Sequence, residues 1–280
     1  MVLNFYPSAK AAYMGNAFSA TGDTVETIYY NPAGLSCLNT RQLYASYSYW
    51  IFDMYDASLA FVYPVSIHRI AFGIRYFYLG EITETLIDQS MHSKVTLYNT
   101  VAILSYSIDL DILKLGISFK NLLQNYGTNY SNISSLVFDL AGRVEVRGIS
   151  FALNIANLGS SMKIDGIENS LPFIVKIGAG YNLDKLKIGT DLDIVERNLK
   201  LHFGTEYKVR KHISIRVGYE QIDDLNLLKG LSLGFGYETE YSELISFKSE
   251  SIFVGVFNYS FTYLGEELGF AHRISLGSKF

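Results

Sequence analysis

The chain has 280 residues, with 27 acidic and 23 basic side chains and a formal net charge of −4. Hydrophobic residues make up 49% and charged residues 18%, which excludes disorder and leaves no basic excess to neutralise nucleic-acid phosphates. The single cysteine, Cys37, excludes an internal disulfide framework and a cysteine-rich zinc site.

Residues 1–40 read differently from the rest. The first residues lack the charged and apolar regions of a secretory signal, so the expectation is that a signal has been removed. The stretch from Ala9 to Gly15 is small and helix-tolerant, and Asp23 with Glu26 has capping-box spacing. A short helix is predicted from there until Asn31-Pro32 stops it.

From Arg41 onward, segments of about ten residues alternate apolar and polar side chains, with turn chemistry between them. The predicted strands are 41–50, 55–65, 69–79, 94–107, 112–124, 134–144, 147–156, 172–182, 185–194, 199–208, 211–220, 229–238, 251–263 and 270–280. An even number of strands with short links reads as an up-and-down barrel. Most links on one side are long (80–93, 125–133, 157–171 and 221–228). Those near Ser66, Asp109, Glu145, Asp184 and Val209 are tight. Outer-membrane barrels are built this way; the long link 239–250 is an exception on the tight side.

A soluble β-sandwich also alternates, but three features favour a membrane wall. Tyrosines such as Tyr47, Tyr49, Tyr63, Tyr181, Tyr207 and Tyr237 recur near strand ends on the apolar face, as interfacial girdles do. Glycines such as Gly73, Gly116, Gly148, Gly178, Gly189, Gly218, Gly234 and Gly277 sit on the polar face, where missing side chains let something pack against the wall. The last strand ends on Phe280, which resembles a barrel-assembly signal. The predicted fold is all-β: a 14-stranded antiparallel transmembrane β-barrel over 41–280 with a small amino-terminal helical plug, or hatch, over 1–40. Such a bore is too wide for wall side chains alone to fill.

Inward-facing charges include Arg69, Arg75, Asp191, Asp193, Glu206, Arg216, Glu220 and Arg273. They read either as a network holding the plug or as a polar conduit; their mixed sign argues against an ion-selective pore. Inward apolar residues are few, mainly Tyr44, Trp50, Val62, Phe77 and Ile174, and the first four suggest a small apolar pocket beside the plug.

Three blocks carry a family resemblance: SAKAAYMGNAFSA at 8–20 with IYYNPAGL at 28–35; LNIANLG at 153–159 with LPF at 171–173 and IGAGY at 177–181; and YLGEELG at 263–269 with HRISL at 272–276 and Phe280. Together they resemble the FadL superfamily, and most of all its PorV/PorQ branch. The resemblance implies a 14-stranded barrel whose hatch contains Asn31, Pro32, Ala33 and Gly34. It also implies either of two functions. A PorV-like barrel would bind protein cargo or a larger translocon barrel in type IX secretion. A FadL-like barrel would take up a hydrophobic ligand through a hatch-gated lumen.

No catalytic constellation is legible. The five histidines do not have metal-ligand spacing, Asp223-Asp224 reads as solvated loop charge, and the glycines follow the strand period rather than a phosphate loop. The expectation is a non-enzymatic protein without cofactor or metal, in contact with outer-membrane lipid and not with nucleic acid. It would lie in a bacterial outer membrane with both termini periplasmic.

Overall fold

The computed structural model describes residues 6–85, 92–127, 133–159, 161–164, 167–196, 198–222, 228–241 and 253–280. After the amino-terminal segment the chain forms β1 (Gln42–Tyr49), β2 (Tyr55–Val65), β3 (His68–Thr85), β4 (His92–Leu110), β5 (Leu113–Asn125), β6 (Ile133–Val146) and β7 (Ile149–Gly159). A small hairpin, β8 (Met162–Ile164) and β9 (Ile167–Asn169), interrupts the series. The wall resumes with β10 (Ile174–Asn182), β11 (Leu186–Val195), β12 (Asn198–Arg210), β13 (Ile213–Glu220), β14 (Leu231–Tyr241), β15 (Phe253–Gly265) and β16 (Gly269–Lys279). Apart from β8 and β9, the strands pair with their chain neighbours, and β1 pairs with β16 to close a 14-stranded antiparallel barrel. Arg41 and Phe280 exchange two backbone hydrogen bonds beyond that last pairing.

All fourteen predicted wall strands are present, with two differences in extent. The link predicted over 80–93 is mostly strand, because β3 and β4 continue as a ladder to Thr85 and His92. No regular apolar alternation runs through Gly80–Thr85 or His92–Lys94, so the sequence did not announce that extension. The hairpin β8–β9 lies inside the predicted 157–171 link for the same reason. Gly148, read as an inward glycine, sits instead in the β6–β7 turn at φ 81 beside Arg147 at φ 51. Positive φ at both positions matches the twist of a two-residue hairpin turn. The unexplained 239–250 link falls mostly outside the described residues, as do Asp223 and Asp224.

The two faces of the wall are unlike. Outward positions such as Ile149, Phe151 and Leu153 on β7, Leu201 and Phe203 on β12, and Ile215 and Val217 on β13 are exposed and apolar. Such a belt is unfavourable in water and suits a lipid environment. Inward positions are polar and buried, including Ser105, Ser118, Lys120, Asp139, Asn154 and Ser275. A closed ring leaves no edge strand to satisfy.

Candidate functional site: the barrel lumen

Residues 6–38 occupy the lumen, and nearly all of them are buried. Little of the segment is α-helical. Helix α1 (Ala9–Ala12) has Ser8 as its N-cap, and two 3-10 helices follow at Val25–Tyr29 and Pro32–Cys37. Asp23 does not cap the first of these, since Thr24 holds the N-cap position. The Asp23 carboxylate instead lies 2.6 Å from both Lys10 and Lys187. Burial would raise its pKa, but the two ammonium groups hold it well below the usual carboxylate range. Asn31-Pro32 both ends one helix and begins the next. The Asn31 side chain accepts from the Ala33 amide at 2.9 Å, with proline at the first helical position.

Glycine makes the close fit to the wall. A Cβ at Gly116 would sit 2.3 Å from the Ala33 nitrogen, and one at Gly218 would sit 2.0 Å from the Gly15 nitrogen. Gly218→Val is therefore expected to lift the segment from β13. Trypsin, which cannot reach the buried Lys10 in the native protein, should then cleave after it.

The eight inward charges read from sequence all reach the lumen, but they divide into separate contacts. Arg75 pairs with Asp56, Arg216 with Glu206, and Asp193 with Lys176. Asp193 also accepts from the Tyr6 hydroxyl at 3.0 Å, and His202 Nε2 lies 3.5 Å away. Asp191 accepts the amides of Phe18 and Ser19 at 3.0 and 2.8 Å, and Glu220 accepts from Asn16 at 2.6 Å. Arg69 donates to the Leu38 carbonyl. Arg273 donates to Thr262 at 3.0 Å and stacks over Trp50 at 4.6 Å. It is buried, its Nε is unpartnered, and it forms no ion pair with a described carboxylate.

Glu26 is a buried carboxyl of a different kind, because no ion pair with a described residue neutralises it. Ser275 donates to it at 3.0 Å. Burial pushes its pKa up, opposed by hydrogen bonds from Ser275 and Ser8. A carboxyl raised in the folded state binds its proton more tightly there than in the unfolded chain. Its contribution is therefore fully present at low pH and is lost as pH rises from the unfolded value of about 4.3 through the folded one. Glu26→Gln is expected to raise the thermal unfolding temperature near pH 7 and to leave it unchanged near pH 4.

At the barrel end opposite the carboxy terminus lies a cavity of about 420 Å³. Trp50, Ile51, Met54, Phe77, Leu79, Ile222, Leu264 and Leu268 give it apolar walls. Tyr6 and Asn16 of the amino-terminal segment also line it, with Lys200, Glu220, Thr262 and Arg273 as its other polar groups. Its size and lining are those of a site for a small organic molecule. Of the apolar residues expected from sequence, Trp50 and Phe77 line this cavity, whereas Tyr44 and Val62 lie farther along the lumen in one continuous buried cluster with Phe77. The sequence reading missed Val101, Ile103, Leu122 and Val137, which join that cluster from β4, β5 and β6. Among the described residues, no group of three histidine, cysteine or acidic side chains is placed to hold a metal.

No family model matches the chain, and no curated protein matches it. Solved structures do. The Ralstonia pickettii toluene transporter TbuX matches with a TM-score of 0.67 at 12% identity, over 99% of both chains. The Pseudomonas putida toluene transporter TodX matches with a TM-score of 0.64 at 12% identity, over 97% of this chain and 96% of that one. A Pseudomonas aeruginosa FadL homologue matches with a TM-score of 0.55 at 13% identity, over 96% and 97% respectively. The likeness shows a barrel of the FadL-type fold.

Proposed function

We propose that this chain is a non-enzymatic channel of the bacterial outer membrane that takes up small hydrophobic molecules. The observation that carries the reading is the apolar cavity of about 420 Å³ above the amino-terminal segment. A ligand entering from the long-link side would rest there, with its apolar body against Trp50, Met54 and Phe77. The neighbouring Arg273 suits a ligand with one polar end. The likeness to two toluene transporters supports transport over the cargo-binding role implied by the PorV/PorQ resemblance.

In this reading residues 1–40 are a plug in the barrel formed by 41–280, the carboxy terminus is periplasmic while Tyr6 lies at the cavity end, and Asn31, Pro32, Ala33 and Gly34 form the hatch. Their position suits that role, since Gly116 of β5 accepts the Pro32–Ala33 backbone without a side chain between them. Vesicles with a lipopolysaccharide outer leaflet, which slows apolar solutes that a plain lipid bilayer admits unaided, are expected to take up toluene faster with the protein than without it, and Phe77→Asp should remove the gain by placing a charge in the cavity wall. If the native protein gives no gain, and extraction from its own membrane instead recovers a bound protein, the cargo-binding reading replaces this one.

A further inference from the structure

The barrel end that carries Phe280 is closed by tight turns, and three neighbouring ones, β6–β7, β10–β11 and β12–β13, are laced together. The Gly148 carbonyl accepts the Asn182 amide at 2.8 Å, and the Lys185 carbonyl accepts the Lys208 amide at 2.8 Å. On this rim Arg147, Lys185, Lys208, Arg210 and Lys211 are all exposed. The exposed acid in these turns is Asp184; Glu145 is half-buried and pairs with Arg143. The opposite barrel end is richer in exposed acid, with Asp53, Glu81, Glu196, Glu266 and Glu267. Lys185 and Lys208 also border an inner cavity of about 270 Å³, so they stand on the crest of the rim.

Directly under the first two of these turns, the outer wall has a groove of about 330 Å³. The pairing register accounts for it. Nearest the rim, Ile149, Tyr181 and Ile188 form one outward row across β7, β10 and β11. The next row is Phe151, Ala179 and Thr190, and the one after it is Leu153, Ile177 and Leu192. The small side chains of Ala179 and Thr190 therefore leave a dip between two rows of large ones. Phe151 bounds the dip on the β7 side, and Phe203 pairs with Thr190 on the β12 side. A dip in a lipid-facing wall forfeits dispersion contacts unless something fills it, and a flexible alkyl chain does so with no polar group to desolvate. A chain lying there brings its headgroup to Arg147 and Lys185, which sit in the turns that run into Ile149 and Ile188. Cations at that level attract an anionic leaflet surface.

We propose that this groove and rim bind one anionic phospholipid from the leaflet at the carboxy-terminal end, its acyl chain in the groove and its phosphate at Arg147 and Lys185. The inference concerns the outer face and stands whether or not the lumen transports. Native mass spectrometry of the full chain in detergent, titrated with phosphatidylglycerol or phosphatidylcholine, tests it. The first phosphatidylglycerol should bind about tenfold more tightly than the first phosphatidylcholine, since each nearby cation contributes about fivefold at most. Arg147→Gln with Lys185→Gln should abolish that preference and leave phosphatidylcholine binding in place. Ala179→Phe, which fills the dip, should weaken the first phosphatidylglycerol about tenfold, while Leu140→Phe on the outer face of β6 should leave it unchanged. Each variant is compared at unchanged heat-modifiable mobility; if Ala179→Phe does not fold, Thr190→Phe fills the same dip from β11 and is held to the same result. Equal affinity for the two lipids in the native protein overturns the site. So does a preference that survives the filled dip undiminished, which would mean that the rim attracts anionic lipid by diffuse charge alone.

Discussion

Deleting residues 8–35 should turn a closed lumen into an open bore, read as a large rise in single-channel conductance and in the influx of small hydrophilic solutes. The wall alone cannot fill a barrel of this strand number. Its inner face is cut back by glycine where the segment seats, and the side chains filling that space, among them Tyr13, Phe18, Tyr30 and Leu35, belong to the segment. The barrel itself should survive the deletion. Its backbone ladder is complete without the segment, and water entering the bore would solvate Asp191, Asp193 and Lys176. Retained heat-modifiable mobility confirms survival, and unchanged permeability in a folded variant would show that residues 8–35 do not close the bore.

Arg216→Ala should be the most damaging single replacement in the wall. The guanidinium pairs with Glu206, lies 3.3 Å from the Asn258 side-chain oxygen, and stacks over the Tyr13 ring at 4.5 Å. Removing it leaves the Glu206 carboxylate buried without this partner, a change that costs about 3–5 kcal/mol when a buried pair is broken from one side. The denaturant midpoint, followed through the single tryptophan Trp50, should fall accordingly. Replacing both members, Arg216→Met with Glu206→Met, should restore much of the loss, because an apolar pair removes the stranded charge as well as the attraction. A single variant as stable as the native protein would mean that Glu206 is already satisfied by Lys10 and water.

The barrel was legible because a wall between lipid and a polar interior writes its two faces into alternate residues, as Ile213 to Glu220 illustrates. The inward glycines were legible for the same reason: glycine weakens a strand and so stands out where a close approach requires it. The apolar side of the lumen was not. Around Val101, Ala102, Ile103 and Leu104 both faces of β4 are apolar, so the period vanishes and no inward residue can be singled out. The internal geometry of the amino-terminal segment was equally hidden. Its short 3-10 turns are held by contacts with residues far along the chain, as when Asp23 turns from capping to meet Lys187. The cavity suffers from both difficulties, since its lining comes from β3, β12, β13, β15, β16, three links and the amino-terminal segment.

The closing pair of strands is joined from inside the barrel as well as by its own ladder. Ser46 of β1 lies 2.8 Å from the Pro7 carbonyl, Ser275 of β16 meets Ala9 and Glu26, and the same two serines lie 3.1 Å apart across the junction. The two ends of the sheet therefore meet over a piece of chain that touches both. That piece also runs directly into β1, so it is tethered at the junction. The segment is a cross-brace as much as an occupant: both closing strands hold it, and the serines that face it mark where it seats.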